Sequence, residues 1–188
     1  MIAALAPHVE RGAWVVGIEP SCLLSLRDEF LVLGLGEAAK CLGEKALLIE
    51  EFLARENAAG RLRLPLVALP EKRALLHGHC HQKAFDALGA TKNVLQLIPG
   101  LAVEVVESSC CGMAGAFGFE AAHYDISVRM AELSLLPAVR NANPATLIVA
   151  DGTSCRHQIA DGMRASGGRA AVHVVRALER ALVHEDTR

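Results

Sequence analysis

No block of lysine or arginine runs anywhere in this chain: 19 basic residues are scattered among 21 acidic ones, for a net charge of −2. Without a basic patch, nucleic acid and anionic membrane surfaces are disfavoured as partners. No apolar run approaches the ~18 to 20 residues that a transmembrane helix needs. The opening MIAALAPHVERGAW lacks a basic lead-in, and Pro7 and His8 break its apolar run, so it does not read as a secretory signal. The expected location is therefore the cytoplasm, with any membrane association made through partners. Six cysteines in 188 residues fall far below the density of a disulfide-stapled secreted scaffold. In a reducing compartment, clustered cysteines more often bind metals or do chemistry. No flavin-binding region is recognisable.

What the chain does have is a 52% hydrophobic composition over a length sufficient for one sizeable core. WVVGIEPSC opens as a short buried strand, and Ser21 is placed to cap a helix continuing through LLSLRDEF. EKALLIEEFLARENAAG reads as a helix with Leu48, Ile49, Phe52 and Leu53 on one face and Gly60 past its end. RLRLPLVALPEKR, with Pro65 and Pro70, reads as an extended connector or edge hairpin and as the internal boundary. From Arg73 onward strands and helices alternate: strand RALLHGH, helices HQKAFDALG and TKNVLQLIPG, and strand LAVEVVES. A helix marked by Ile126, Met130 and Leu133 follows, which Pro137 is expected to kink or restart. Strand TLIVA, strand AAVHVVR, helix RALERALV and a frayed tail HEDTR complete the pattern. Such alternation predicts an α/β fold with a mostly parallel sheet flanked by helices.

The cysteines fall at strand ends. Cys80 closes one apolar run, Cys110 and Cys111 a second, and Cys155 a third, and each is followed by a helix-like segment. In an open α/β sheet those turns share the carboxyl edge, where ligands bind, so four sulfurs can meet in one crevice. Adjacent cysteines fit poorly as two ligands of one small tetrahedral ion, whereas a multi-iron cluster accommodates them. Gly112, Gly115 and Gly118 after the pair let the main chain come close and aim N–H groups at sulfur. WVVGIEPSC also matches TLIVADGTSC, aligning Cys22 with Cys155. Residues 1–60 then read as the end of a truncated first repeat, residues 61–188 as a complete second one, and the chain as the tail of a longer polypeptide.

HGHCHQKA, SSCCGMAGAFGFE and VADGTSCRHQIADG together resemble the cysteine-rich CCG domain. That domain occurs in heterodisulfide reductase, in the iron–sulfur subunit of glycolate oxidase, and at the C-terminus of FAD-linked D-2-hydroxyacid dehydrogenases. GHCHQKA and GTSCRHQIADG are most similar to the last group, which acts on D-lactate, glycolate or 2-hydroxyglutarate. The resemblance covers about Arg73 to Leu182. It implies an iron–sulfur cluster held by Cys80, Cys110, Cys111 and Cys155. It also implies a flavoprotein domain or subunit that carries the FAD and feeds electrons to this chain, which turns over no substrate alone. Gln158 stands where the family has a fifth cysteine, so a non-cubane cluster, a 4Fe–4S or smaller cluster, and a zinc site completed by His157 or His79 all stay open. A zinc-bound or metal-free structural module is the alternative function. A Cys111–His nucleophile would explain neither the paired cysteine nor the recurrence at three strand ends.

Around the cysteines, His77, His79, His81 and His157 are candidates for contacts that tune a centre. His79 and His81 are expected on one strand face, opposite Cys80. Lys83 and Arg156 are placed to balance thiolate charge. Cys22 is a possible extra ligand, and Cys41 is expected to be a buried structural thiol.

Overall fold

The computed structural model describes residues 1–183. Its elements are α1 (Ile2–Glu10), β1 (Val15–Gly17), α2 (Pro20–Leu24), α3 (Glu29–Val32), α4 (Glu37–Glu44), β2 (Ala46–Leu48), α5 (Ile49–Ala58) and β3 (Arg73–His77). They continue with α6 (Cys80–Ala84), α7 (Leu88–Leu95), β4 (Ala102–Val105), α8 (Tyr124–Glu132), α9 (Leu135–Asn141), β5 (Leu147–Ala150), α10 (Thr153–Gly162) and α11 (Val174–Ala181).

Two parallel sheets result: β1 beside β2, and a three-stranded sheet in the order β4-β3-β5. Central β3 registers Ala74 against Val103 on one side and Leu147 on the other. Its alternation sends Leu75, with Ile148 of β5, toward Leu135, Leu136, Val139 and Ile159 of α9 and α10. Leu76 and Val149 face the opposite way, toward Val94, Leu95, Val174 and Leu178 of α7 and α11. Helices thus cover both faces, as a parallel sheet requires. Each fully buried leucine or valine contributes about 1.5–3 kcal/mol. Residues before Gly60 pack around Leu24, Leu42 and Leu48, and Phe85 and Ala87 join that core to the later elements.

Several expectations are corrected. Ser21 does not cap α2; Pro20 occupies its first turn, and the Ser21 hydroxyl donates to Glu19 Oε1 at 3.0 Å. The helix expected through LLSLRDEF stops at Leu24 and gives way to a short turn and α3. ALL, expected in the helix, is β2, because pairing with β1 buries Ala46 and Leu48. HQKAFDALG is not one helix: Asp86 adopts φ +53 and breaks it before α7. RLRLPLVALPEKR makes no hairpin; it runs as a connector bridged at Leu66 to Leu182. AAVHVVR makes only a single bridge, Val172 to Val149. Helix α11 begins directly after it, because His173 Nδ1 accepts the Val175 N–H and Asp151 Oδ1 accepts that of Val174. Ile126 of α8 and Leu133 just past its end face solvent, and the buried residues of α8 are Ser127 and Ala131, small enough for the glycine-rich loop to lie against them. The expectation for HEDTR lies outside the described residues.

Candidate metal centre

The carboxyl ends of β3, β4 and β5 lie side by side, and each leads into a cysteine-bearing turn. Cys80 opens α6, whose N-terminus is capped by His79: its Nδ1 accepts the His81 N–H at 3.2 Å, and Gln82 Oε1 accepts the His79 N–H at 2.9 Å. His79 and His81 are therefore helix-start residues with rings edge to face at 5.3 Å, not neighbours on a strand face. Cys155 lies in the first turn of α10, buried at 1% exposure. A side chain at Gly152 would strike the His79 ring and come within 3.2 Å of Cys155 Sγ, so only glycine lets the two turns close on each other.

The four predicted cysteines form one row of coupled thiols: Cys80 acts on the ionisation of Cys110, Cys110 on that of Cys111, and Cys111 on that of Cys155, which His77 also influences. A ring nitrogen of His77 and the Cys111 and Cys155 sulfurs lie within 4.8 Å of one another, and all three residues are buried.

The thiols titrate as a set. Hydrogen bonds from Cys111 and Cys80 hold Cys110 far below the usual thiol range, and Cys111, with His77 also contributing, lowers Cys155 to about 5. The reverse holds for the proton holders: sharing with Cys110, together with burial, pushes Cys80 and Cys111 far up. The four sulfurs thus share their protons as one set, with negative charge favoured on Cys110 and Cys155. Main-chain N–H groups of His81, Gly112, Met113 and Ala114 stabilise the sulfur charge, with Gly112 N 3.3 Å from Cys110 Sγ.

These features fit a metal group. Binding requires deprotonated sulfur, negative charge is favoured on Cys110 and Cys155, and the Cys111 and Cys155 sulfurs lie with a His77 nitrogen within 4.8 Å of one another, close enough to meet one cation. Lys83 supplies the positive charge nearest the row: burial lowers its pKa, and all four thiols act to raise it. Its ammonium donates to Ser108 O and, at 2.8 Å, to Ser109 O, pinning the segment before the cysteine pair.

The other candidates lie elsewhere. Arg156 serves the end of β5, donating to Ala150 O and Thr153 Oγ1 at 3.0 Å each and to Asp151 O. His157 packs edge-on to Phe119, their ring centroids 5.9 Å apart, in a cavity of about 560 Å³. Gln158 donates to Ser127 O at 3.0 Å and Ser127 Oγ at 3.1 Å. Gly112, at φ +92, leaves no room for a Cβ against Ser127 O, so the glycine turn's close approach is to α8. Cys22 is exposed and outside the row. Cys41 is also exposed, which overturns its expected burial, since it lies on the outer face of α4.

Sequence reasoning missed a buried polar network behind the row. Gln82 Nε2 donates to Glu50 Oε1 at 2.6 Å and to Asp151 Oδ2 at 2.9 Å, and Thr91 lies beside all three. Burial and the Asp151 carboxylate push Glu50 up to about 8. Glu19, from the first part of the chain, reaches the start of α10, where its Oε2 accepts from Thr153 N at 3.0 Å and Oγ1 at 2.7 Å. Burial of Glu19 opposes its ionisation, but the Thr153 hydrogen bonds prevail and lower its pKa.

No family model matches the chain, and no solved structure matches it significantly. Among curated proteins it is 32% identical over 149 residues to a subunit of the anaerobic glycerol-3-phosphate dehydrogenase of Escherichia coli strain K12, covering 79% of this chain and 36% of that protein. It is 32% identical over 150 residues to D-2-hydroxyglutarate dehydrogenase of the same strain, covering 79% of this chain and 14% of that protein. The enzyme of that name from Pantoea ananatis is 32% identical over 161 residues, 15% of its length. The chain thus spans between about a seventh and about a third of these relatives. Among the described residues no helix is long and apolar enough to cross a membrane.

Proposed function

We propose that this chain is the iron–sulfur electron-transfer region of a FAD-linked oxidoreductase acting on a D-2-hydroxyacid. The observation that carries the reading is the convergence of four thiols from three sheet-edge turns into one row. In this reading Cys80, Cys110, Cys111 and Cys155 hold the cluster. Bound there, an iron–sulfur group supplies one-electron transfer.

The rest is the work of this chain's own atoms. The N–H groups of His81, Gly112, Met113 and Ala114 hold negative charge on sulfur, Lys83 offsets it, and burial of Cys111 and Cys155 keeps water away. The names of the relatives support a dehydrogenase assembly, and their greater length supports a flavin carried on another domain or subunit. Residues 1–60 fit the remnant of a first repeat, ahead of a complete second one. In this reading the assembly works in the cytoplasm, with a flavoprotein as partner.

Zinc is the second reading, favoured by the compact His77, Cys111 and Cys155 group, whose size suits a single divalent ion. Mixing the anaerobically purified, reconstituted chain with a D-2-hydroxyacid-reducible flavoprotein separates the two. Bleaching of a visible band and a new EPR signal on substrate addition are expected from an electron carrier. A colourless, zinc-loaded protein with no signal would contradict that role.

A further inference from the structure

We infer that His77 is a nitrogen ligand of the centre, so that the site is a mixed thiolate and imidazole one. This rests on the proposed metal-binding role of the thiol row and specifies its ligand set.

His77 is the last residue of β3, the strand between β4 and β5, so its side chain is delivered where the turns carrying Cys111 and Cys155 meet. It is 1% exposed, and a ring nitrogen lies within 4.8 Å of both sulfurs. Its Nδ1 is 2.9 Å from Ser108 Oγ, which also takes a hydrogen from Lys83 at 3.3 Å. A hydroxyl oxygen has two lone pairs, so it can accept from Lys83 and from an Nδ1–H together. That tautomer leaves a lone pair on Nε2, the nitrogen free to meet sulfur or metal. A second ring nitrogen anchored on a neighbouring oxygen is the usual arrangement of a ligating histidine.

Most of the other nitrogen and amide groups near the row have partners, although His81 Nδ1 is buried without one and His79 Nδ1 lies 4.0 Å from Cys80 Sγ. His79 Nδ1 accepts the His81 N–H at 3.2 Å. His157 is packed on Phe119, and the Gln158 amide is spent on Ser127. His77 is distinguished by geometry: among the described residues it is the nitrogen donor grouped with two of the sulfurs, all three ligand atoms lying within 4.8 Å of one another. Exchange of a thiolate for imidazole raises the potential of an iron–sulfur centre.

The test is pulsed EPR on the reconstituted, reduced full chain, prepared with natural-abundance and with 15N-labelled histidine. The expected result is a strong nitrogen coupling that changes to the 15N pattern on labelling and is lost in His77→Gln. Should His77→Gln fail to fold, His77→Cys offers a thiolate of smaller volume at the same point and is expected to keep the metal and lose the coupling. An iron–sulfur signal whose nitrogen couplings ignore histidine labelling would overturn the assignment while leaving the cluster reading intact. If no iron is taken up, the cluster reading fails, and cobalt(II)-substituted protein carries the same isotope test for His77. Cobalt spectra without histidine coupling would then overturn it.

Discussion

Replacing Glu50 by glutamine should remove a large part of the chain's pH-dependent instability. Glu50 is 1% exposed, its Oε1 accepts from Gln82 at 2.6 Å, and its Oε2 has no hydrogen-bond partner. Asp151, equally enclosed, faces it across the shared Gln82 amide and is itself tied to Val174 N at 2.9 Å, with His173 Nε2 at 3.6 Å. Thr91 and Glu51 complete its polar surroundings, and two carboxylates cannot both ionise there at low cost. Burial first, and Asp151 second, raise Glu50 from 4.5 to about 8.

A carboxyl raised in the folded state favours folding at low pH, and that advantage is lost as pH climbs from about 4.5 through about 8. At about 1.4 kcal/mol per pH unit, the loss amounts to about 5 kcal/mol across the window. Glutamine keeps the acceptor for Gln82 and carries no titrating proton. Urea unfolding of the reduced full chain, at intervals across that window, gives the difference between variant and wild type. That difference should grow in the variant's favour by several kcal/mol as pH rises. Parallel stability curves would refute the reasoning, because they would mean that Glu50 titrates as it does in the unfolded chain.

Gly112→Ala should cost more than about 2 kcal/mol, since positive φ alone costs about 1–2 kcal/mol and the added Cβ meets Ser127 O; thermal unfolding and loss of metal uptake measure it. Gln158→Ala should cost roughly 1–3 kcal/mol by removing the amide that donates to Ser127 O and Oγ, with metal content unchanged. In metal-free protein at mildly acidic pH, iodoacetamide should label Cys110, whose pKa is lowered by its neighbours, before Cys80, whose pKa is raised, although Cys80 is the more exposed. Peptide mapping by mass spectrometry reads the order, and metal loading should suppress both reactions.

The α/β class is legible in the sequence because β3 and β5 are apolar runs that a glycine follows within two residues, and runs of that kind mark strands buried on both faces. Three-residue β1 and β2 carry too little pattern of their own; only their pairing with each other makes Ala46 to Leu48 a strand. The start of α11 is hidden for a related reason, as Val174 and Val175 prefer strands until Asp151 and His173 capture their N–H groups. At the site, sulfur positions follow from strand ends, and the N–H groups from the turn after Cys111. The orientation of Arg156 and the commitment of Gln158 depend on tertiary partners, Ala150 O and Ser127, and no local spacing reveals them. His77 is within reach of the pattern: it is the last residue of a buried strand, three positions before Cys80.

The central claim is that the thiol row holds an iron–sulfur group, and metal analysis tests it most directly. Iron, zinc and acid-labile sulfide should be measured on anaerobically purified full chain and on the double variant Cys110→Ser, Cys111→Ser. Iron with matching sulfide in the wild type, lost in the variant, is the predicted result. Stoichiometric zinc or an empty site in protein kept from oxygen, persisting after cluster reconstitution, would contradict it.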